Sequence, residues 1–193
     1  TELLASALQY VSMKLEHELY GVGFSMGGNV MLRYQAQTPE SRFKALMAIC
    51  NPFDVQMSAN MMRGTPSEPY LVWLGKKVAI GTKDKEMLEK IRVKYGLDYD
   101  AIEKCKDWGQ FDKEMLAKTV VSDKPDGVRY FRSIEEYRHE SSALLHLSKI
   151  SVPTFILHAK DDPIVPVCCI PRAACVANPH FIVGLSNYGS HCL

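Results

Sequence analysis

Four short apolar runs, separated by stretches with helical periodicity, constrain the fold of this chain more than any other feature. The runs are residues 19–24, 44–50, 153–158 and 180–185, and helical patterns follow two of them, at residues 27–37 and 171–177. Each run is mainly apolar rather than alternately apolar and polar, which is typical of strands buried on both faces. Apolar strands that alternate with helices predict an α/β fold with a mostly parallel sheet flanked by helices.

Two further stretches have helical character. Leucine and valine recur at helical spacing in residues 2–16, which are therefore predicted to form an amphipathic helix. Residues 56–146 have few strand patterns and include helical segments at 85–95 and 99–105. This helical insertion is either a set of covering helices or a cap over a pocket. We expect a cap, because long insertions in a scaffold usually serve a site.

Charge and cysteine content narrow the function classes. The 193 residues carry a formal net charge of +1, which gives no electrostatic reason to expect a nucleic acid or an anionic membrane as partner. No apolar run approaches the length of a membrane span. Six scattered cysteines and no visible secretory signal favour reduced thiols and a cytoplasmic or membrane-associated protein over a secreted one. The chain begins at Thr1, so membrane association through an N-terminal segment would involve residues outside it.

The stretch Gly23-Phe24-Ser25-Met26-Gly27 matches the pattern G-x-S-x-G at the junction of a predicted strand and a predicted helix. A sharp turn there needs small neighbours, because side chains at positions 23 and 27 would strike the adjacent strand and helix. Such a turn lifts the Ser25 hydroxyl above the sheet edge and directs the Met26 N–H at a developing oxyanion. We therefore predict a nucleophile elbow, with a glycine-rich turn and a capping serine as the alternative.

A serine hydroxyl becomes a good nucleophile only beside a base, usually a histidine held by a carboxylate. Of the six histidines, His191 is best placed, because it lies in a Gly-Ser loop after the last predicted strand. Asp162 follows the third strand and is expected at the same sheet edge as Ser25. Asp161 is expected to be a solvated neighbour, and Asp54, which follows the second strand, is a rival acid. The order Ser, Asp, His is the one expected for an α/β-hydrolase.

These motifs, together with RSIEEYRHESS at residues 132–142 and PTFILHAKDDPIVP at 153–166, resemble the YheT-like α/β-hydrolases, also called the embryogenesis-associated group. The similarity runs across essentially the whole chain. It implies a serine esterase or lipase that cleaves carboxylic esters, with acylglycerols and phospholipids among the substrates. Ser25, Asp162 and His191 match the group's nucleophile, acid and base. The expected partner is a small-molecule ester or lipid and not a nucleic acid, and we expect neither a cofactor nor a metal ion.

Two features depart from this group. The candidate base lies in Gly189-Ser190-His191, where G-G-H is usual. The strands that normally precede the elbow, with a His-Gly oxyanion loop, are absent, so residues 1–193 are expected to form a partial domain with one oxyanion donor missing. An unpaired sheet edge and exposed apolar surface would follow. We therefore expect this chain alone to be a weak esterase whose stability is poor or dependent on self-association.

Other interpretations stay open. A non-catalytic α/β-hydrolase remnant that serves as an interaction module is the alternative function, and an acyltransferase with the same triad is a further one. Met57, Met61, Met62 and the residues 70–73 either line a lipid-accepting pocket or belong to the core or to covering helices. The cysteines near the C-terminus lack the paired C-x₂-C spacing of a zinc site, so a zinc centre is not expected.

Overall fold

The computed structural model describes residues 6–7, 10, 18–41, 43–121 and 131–192. In chain order the elements are β1 (Leu19–Phe24), α1 (Met26–Gln37), β2 (Phe43–Ile49), α2 (Val55–Met62), α3 (Glu68–Ile80), α4 (Lys85–Tyr95), α5 (Tyr99–Lys104), α6 (Trp108–Phe111), α7 (Ala117–Val120), α8 (Ile134–Glu140), β3 (Thr154–Ala159), α9 (Arg172–Ala177) and β4 (Phe181–Ser186). A π-helical stretch spans Asp112–Leu116, and 3₁₀ turns span Ala143–Lys149 and Val167–Cys169. The helix predicted over residues 2–16 lies almost entirely outside the described residues.

The four strands form one parallel sheet in the order β1-β2-β3-β4. Every predicted strand is confirmed to within one residue at each end, and helices connect the successive strands, as parallel pairing requires. The register aligns the carboxyl ends of the strands: Phe24 lies beside Ile49, and Ala159 beside Ser186. The α/β fold class predicted from the sequence is confirmed, and side chains that follow the strands collect at one edge of the sheet.

One face of the sheet forms the main hydrophobic core. Leu46, Ala48 and Ile156 on this face are buried in one cluster with Leu32 of α1 and Leu147 of the first 3₁₀ turn. The helix that follows the candidate elbow is therefore fixed to the sheet by its apolar side. Because such burial is the main stabilising contribution in a small domain, the start of α1 has a rigid support.

No described residue outside the sheet covers most of its opposite face, where three of the four strands expose an apolar side chain. Val22, Met47, Phe155 and Ile182 are neighbours in register across all four strands, and we call this row the open sheet face. Val22, Phe155 and Ile182 are exposed and Met47 is half-buried. Parallel sheets are normally covered on both faces. Within the part of the chain that the structure describes, this row is apolar surface open to solvent.

The chain divides into two compact units. The first comprises Thr1–Met61 and Ser141–Leu193 and contains the sheet, while the second comprises Met62–Glu140 and lies inside the bounds of the insertion expected at residues 56–146. The second unit is helical in its described residues, with a separate core that includes Val72 and Phe111. Among the described residues, no helix has the length and apolar character needed to cross a lipid bilayer.

Candidate active site

Ser25 occupies a strained turn between β1 and α1. Its backbone has φ 49° and ψ −127°, a conformation in the left-handed half of φ/ψ space that favours glycine and costs other residues roughly 1–3 kcal/mol. The Ser25 N–H donates to the carbonyl oxygen of Ile49 at 2.8 Å, and the Ser25 carbonyl accepts from the N–H of Gly28 at 3.0 Å. The chain thus leaves the sheet and enters the helix within one residue, as the predicted elbow requires.

The glycines around this turn have unequal steric roles. A Cβ at Gly23 would lie 2.6 Å from the backbone of Gly28, so no larger residue fits there without a backbone shift. At Gly27 a Cβ would meet no atom within 4 Å, so the steric reason expected for this position does not hold in the described structure. Gly28 has less free space than Gly27, because a Cβ at position 28 would lie 3.1 Å from the Gly23 carbonyl oxygen. The close approach of strand and helix therefore depends on Gly23 and Gly28.

Met26 is the first residue of α1, so its N–H belongs to the first turn, where backbone donors have no acceptor within the helix. Such a donor beside a serine hydroxyl, at the positive end of a helix dipole, is suited to an oxyanion. The oxyanion role predicted for Met26 remains a prediction.

Asp162 and His191 are directly hydrogen-bonded. The His191 Nδ1 lies 2.8 Å from the Asp162 Oδ2, and the Asp162 Oδ1 accepts the N–H groups of Ile164 at 2.8 Å and of Val165 at 2.9 Å. Burial alone would raise the pKa of Asp162, but the hydrogen bonds from His191 and the two N–H groups outweigh it and lower that pKa. An ionised carboxylate accepts a proton-bearing Nδ1, which leaves Nε2 of neutral His191 as the basic nitrogen.

The rival carboxylates have other partners. Asp161 is exposed, and its Oδ1 accepts the N–H of Ser190 at 2.9 Å, so it holds the backbone of the loop that carries His191. Asp54 accepts the N–H of Met57 at 2.8 Å at the start of α2, as a helix-capping residue does. Of these three aspartates, the structure brings Asp162 alone to the imidazole.

The other histidines lie elsewhere. His139 is on α8, His146 is on the first 3₁₀ turn and His180 directly precedes β4, while His17 lies outside the described residues. His158 is fully buried in β3, and its Nε2 lies 2.7 Å from the Val165 carbonyl oxygen. His158 is therefore a core histidine.

Ser25 and the Asp162–His191 pair share the carboxyl edge of the sheet. Ser25 follows β1 and Asp162 follows β3. Strand β2 lies between these two strands and pairs with both of them. Among the described residues no hydrogen bond joins the Ser25 hydroxyl to His191. In ligand-free enzymes this contact is often long and tightens only with substrate. The geometry therefore pairs the predicted acid and base, and puts the predicted nucleophile at their edge of the sheet.

Two residues at this edge were not singled out from the sequence. Cys50 follows β2, has φ 47° and is fully buried, with its thiol 3.9 Å from the Ser190 carbonyl oxygen. Asn29 of α1 is also fully buried; its Nδ2 donates to the Ser141 carbonyl at 2.7 Å, and its Oδ1 accepts the Ala143 N–H at 2.8 Å. Asn29 fixes the elbow helix to a segment more than a hundred residues away, and no local sequence pattern reveals such a contact.

Cys50, His158 and Asp162 place candidate metal-ligand atoms within 4.8 Å of one another. Each group already has a partner, since Asp162 accepts from His191 and His158 contacts the Val165 carbonyl. Burial raises the pKa of the Cys50 thiol, which disfavours the thiolate that metals bind. A metal ion here would compete with the Asp162–His191 bond, so these residues are poorly suited to hold one.

Several curated relatives of this chain are named as lipases, phospholipases or esterases. The embryogenesis-associated protein EMB8 of Picea glauca is 24% identical over 198 residues, which cover 99% of this chain and 40% of that protein. Phospholipase ABHD3 of Bos taurus is 26% identical and is matched over 99% of this chain and 44% of its own length. Monoacylglycerol lipase of Saccharomyces cerevisiae is 23% identical, with 90% of this chain and 37% of that protein covered. No protein-family model matches the chain.

Solved structures decide the fold. A Mycobacterium tuberculosis puromycin-hydrolyzing peptidase superposes with a TM-score of 0.55 at 19% identity, covering 97% of this chain and 21% of that chain. The esterase domain of a Rhodothermus marinus protein gives a TM-score of 0.51 at 17% identity, over 98% of this chain and 58% of its own. The chain has the α/β-hydrolase fold.

EMB8 and the ABHD-type relatives confirm the resemblance to the embryogenesis-associated hydrolases. The chain spans about two fifths of the length of these curated relatives.

Proposed function

We propose that this chain carries the catalytic triad of a serine hydrolase that cleaves carboxylic esters, with Ser25 as nucleophile, His191 as base and Asp162 as acid. The observation that carries the proposal is the hydrogen bond between His191 and the buried Asp162 at the sheet edge that also holds the strained Ser25 turn. A hydroxyl on a strained turn, an imidazole and an orienting carboxylate are the parts that acyl transfer requires.

In the proposed reaction the Ser25 Oγ attacks the ester carbonyl carbon while His191 Nε2 takes the hydroxyl proton. Asp162 keeps the imidazole in the Nδ1–H tautomer and stabilises the imidazolium. The Met26 N–H donates to the oxyanion of the tetrahedral intermediate. His191 then gives its proton to the leaving alcohol, and a water molecule activated by His191 hydrolyses the acyl-serine.

Acylglycerols or phospholipids are the proposed substrates. The support is that two relatives are named monoacylglycerol lipase and phospholipase. An acyltransferase would use the same acyl-serine but pass the acyl group to an alcohol instead of water, so product analysis separates the two. The role of the helical unit as a cap over the substrate pocket stays a prediction.

The proposal is tested with a fluorophosphonate probe, which bonds covalently to activated serines. Peptide mapping after labelling should place the adduct on Ser25, and His191→Ala should abolish labelling because the serine loses its base. Ser148, an exposed serine on the first 3₁₀ turn, is the internal control and should stay unmodified. A chain that folds cooperatively and yet leaves Ser25 unlabelled would favour the non-catalytic remnant.

A further inference from the structure

Helix α3 carries an exposed apolar stripe that the proposed chemistry does not use. Its members recur at helical spacing and form one side of the helix: Tyr70 is 56% exposed, Trp73 52%, Leu74 39% and Val78 77%. The Tyr70 and Trp73 rings stack at 5.9 Å. Isolated apolar residues on a surface are ordinary, but a contiguous stripe with two aromatic rings marks an interaction surface.

The opposite side of α3 is already occupied. Val72 is buried in the core of the helical unit, and Gly75 lies so close to Phe111 that a Cβ there would approach its ring to 2.9 Å. The helix is therefore held by one side, and the apolar stripe is the side that remains for a partner.

The charges of α3 are arranged asymmetrically. Glu68, its one acidic residue, is buried, and its carboxylate oxygens accept the N–H groups of Gly64 at 2.7 Å and of Trp108 at 2.8 Å. Lys77 is exposed within the arc of the apolar stripe, and Lys76 lies beside it with its Nζ on the Glu103 carbonyl oxygen. The solvent-facing charge of the helix is thus positive, which complements an anionic surface.

We infer that the apolar stripe of α3 docks this protein onto an anionic phospholipid surface, with Trp73 and Val78 entering the interface and Lys77 facing the lipid headgroups. Apolar side chains, aromatic rings and lysine on one side are the composition of helices that lie in the plane of a membrane interface. The net charge of +1 gave no reason to expect an anionic membrane, but the inference rests on the local charge of α3, where Lys77 is exposed within the arc of the apolar stripe. It goes beyond the proposed function and shares with it only the expectation that lipids are the substrates.

Tryptophan fluorescence tests the docking directly, because the chain has two tryptophans and the second can be removed. Trp108→Phe leaves Trp73 as the sole reporter, and Trp108 packs beside Phe111 against the core of the helical unit. The probe is a vesicle of ether-linked phosphatidylcholine and phosphatidylserine, which an esterase does not hydrolyse at its ether chains. Trp73 emission should shift to shorter wavelength and become sensitive to quenchers placed in the lipid phase.

Matched variants separate docking from general apolar adsorption. Val78→Glu should weaken vesicle binding at least about tenfold, since it removes one buried aliphatic side chain and adds a charge. Val176→Glu is the control, because Val176 is 85% exposed on α9 in the sheet-containing unit and should leave binding unchanged. Lys77→Glu should weaken binding to the anionic vesicles about fivefold or more but have little effect on neutral ones. The matched charge control is Arg172→Glu, also on α9.

Several results would overturn the inference. Trp73 emission that does not respond to vesicles would do so, as would equal losses from Val78→Glu and Val176→Glu in folded proteins. A concentration-dependent dimer in which Trp73 is shielded without lipid would assign the apolar stripe to a second copy of this chain. The Ser25→Ala variant should bind vesicles as the parent does, so a failed docking result and a failed nucleophile assignment are told apart.

Discussion

His191 and Asp162 are joined by a 2.8 Å hydrogen bond, while the preceding residue, Asp161, accepts the N–H of Ser190 at 2.9 Å. Two adjacent carboxylates thus hold two adjacent residues of one loop, and they do so differently. Asp162 binds the imidazole that would carry a proton, whereas Asp161 binds backbone. The sequence Asp161-Asp162 is therefore a two-point anchor for the loop that presents the candidate base.

Asp162→Asn should lower turnover by about four orders of magnitude, because the amide no longer fixes the Nδ1–H tautomer or stabilises the imidazolium. Asp161→Asn should be mild, since an asparagine carbonyl still accepts the Ser190 N–H. The measurement is kcat on a short-chain ester for both variants. A larger loss from Asp161→Asn would indicate that Asp161 is the acid, and mild effects of both variants would indicate Asp54 instead.

The same carboxylate should make stability depend on pH. The pKa of Asp162 is lowered in the folded protein, so its contribution to the free energy of unfolding is complete above the unfolded pKa of about 3.9 and is lost as pH falls through the folded value. The difference in thermal midpoint between the parent and Asp162→Asn should therefore shrink at acid pH. A difference that grows on acidification would contradict the assigned charge.

Ser25→Ala should lower ester turnover by several orders of magnitude without reducing stability, because the members of a triad act as a unit. The matched control is Ser148→Ala, an exposed serine outside the site, which should keep full activity. Turnover and urea unfolding are measured on both variants. If Ser25→Ala kept most of the activity, Ser25 would not be the nucleophile.

Gly23→Ala and Gly27→Ala should have opposite effects on stability. The new Cβ at position 23 would lie 2.6 Å from Gly28 backbone atoms, and such overpacking should cost about 3 kcal/mol. At position 27, in the first turn of α1, a Cβ meets no atom, so alanine should be neutral or stabilising by up to about 1 kcal/mol. Urea unfolding measures both, and equal losses would be inconsistent with this elbow geometry.

Asn29→Ala should destabilise the fold by about 2 kcal/mol, because it leaves the Ser141 carbonyl and the Ala143 N–H buried without partners. Asn60→Ala is the matched control: Asn60 is exposed on α2 and bonds only to the side chain of Gln56 among the contacts described, so its loss should cost less than about 0.5 kcal/mol. Chemical unfolding of the two variants compares the loss of the two buried hydrogen bonds of Asn29 with the loss of a surface contact.

Cysteine reactivity should separate exposed from buried thiols. All six cysteines are free in this structure. Burial raises the pKa of Cys169 and of Cys175 to about 11 each, so only about a thousandth of either thiol is ionised at pH 8. Iodoacetamide should therefore alkylate exposed Cys168 first, and Cys168→Ser should remove the fast phase seen by mass spectrometry. Early labelling of Cys175 in the folded protein would contradict its burial.

The strands and the meeting of Asp162 with His191 follow from local sequence. The four apolar runs predicted the parallel sheet, and the positions of Asp162 and His191 just after two strands predicted that both would reach one edge. The pairing of Asn29 with Ser141 and the position of Cys50 against the His191 loop could not be predicted, because they depend on which distant segments the folded chain brings together. The bond from Ser190 to Asp161 was missed because adjacent aspartates usually indicate a solvated turn.

The open sheet face has a consequence for the temperature dependence of stability. The heat capacity increment of unfolding grows with the apolar area that unfolding newly exposes to water. Val22, Phe155 and Ile182 are already exposed in the folded chain and add little to that increment. This chain should therefore have a smaller heat capacity increment per residue than a hydrolase domain whose sheet is covered on both faces. Its free energy of unfolding should accordingly vary less steeply with temperature, giving a flatter stability curve.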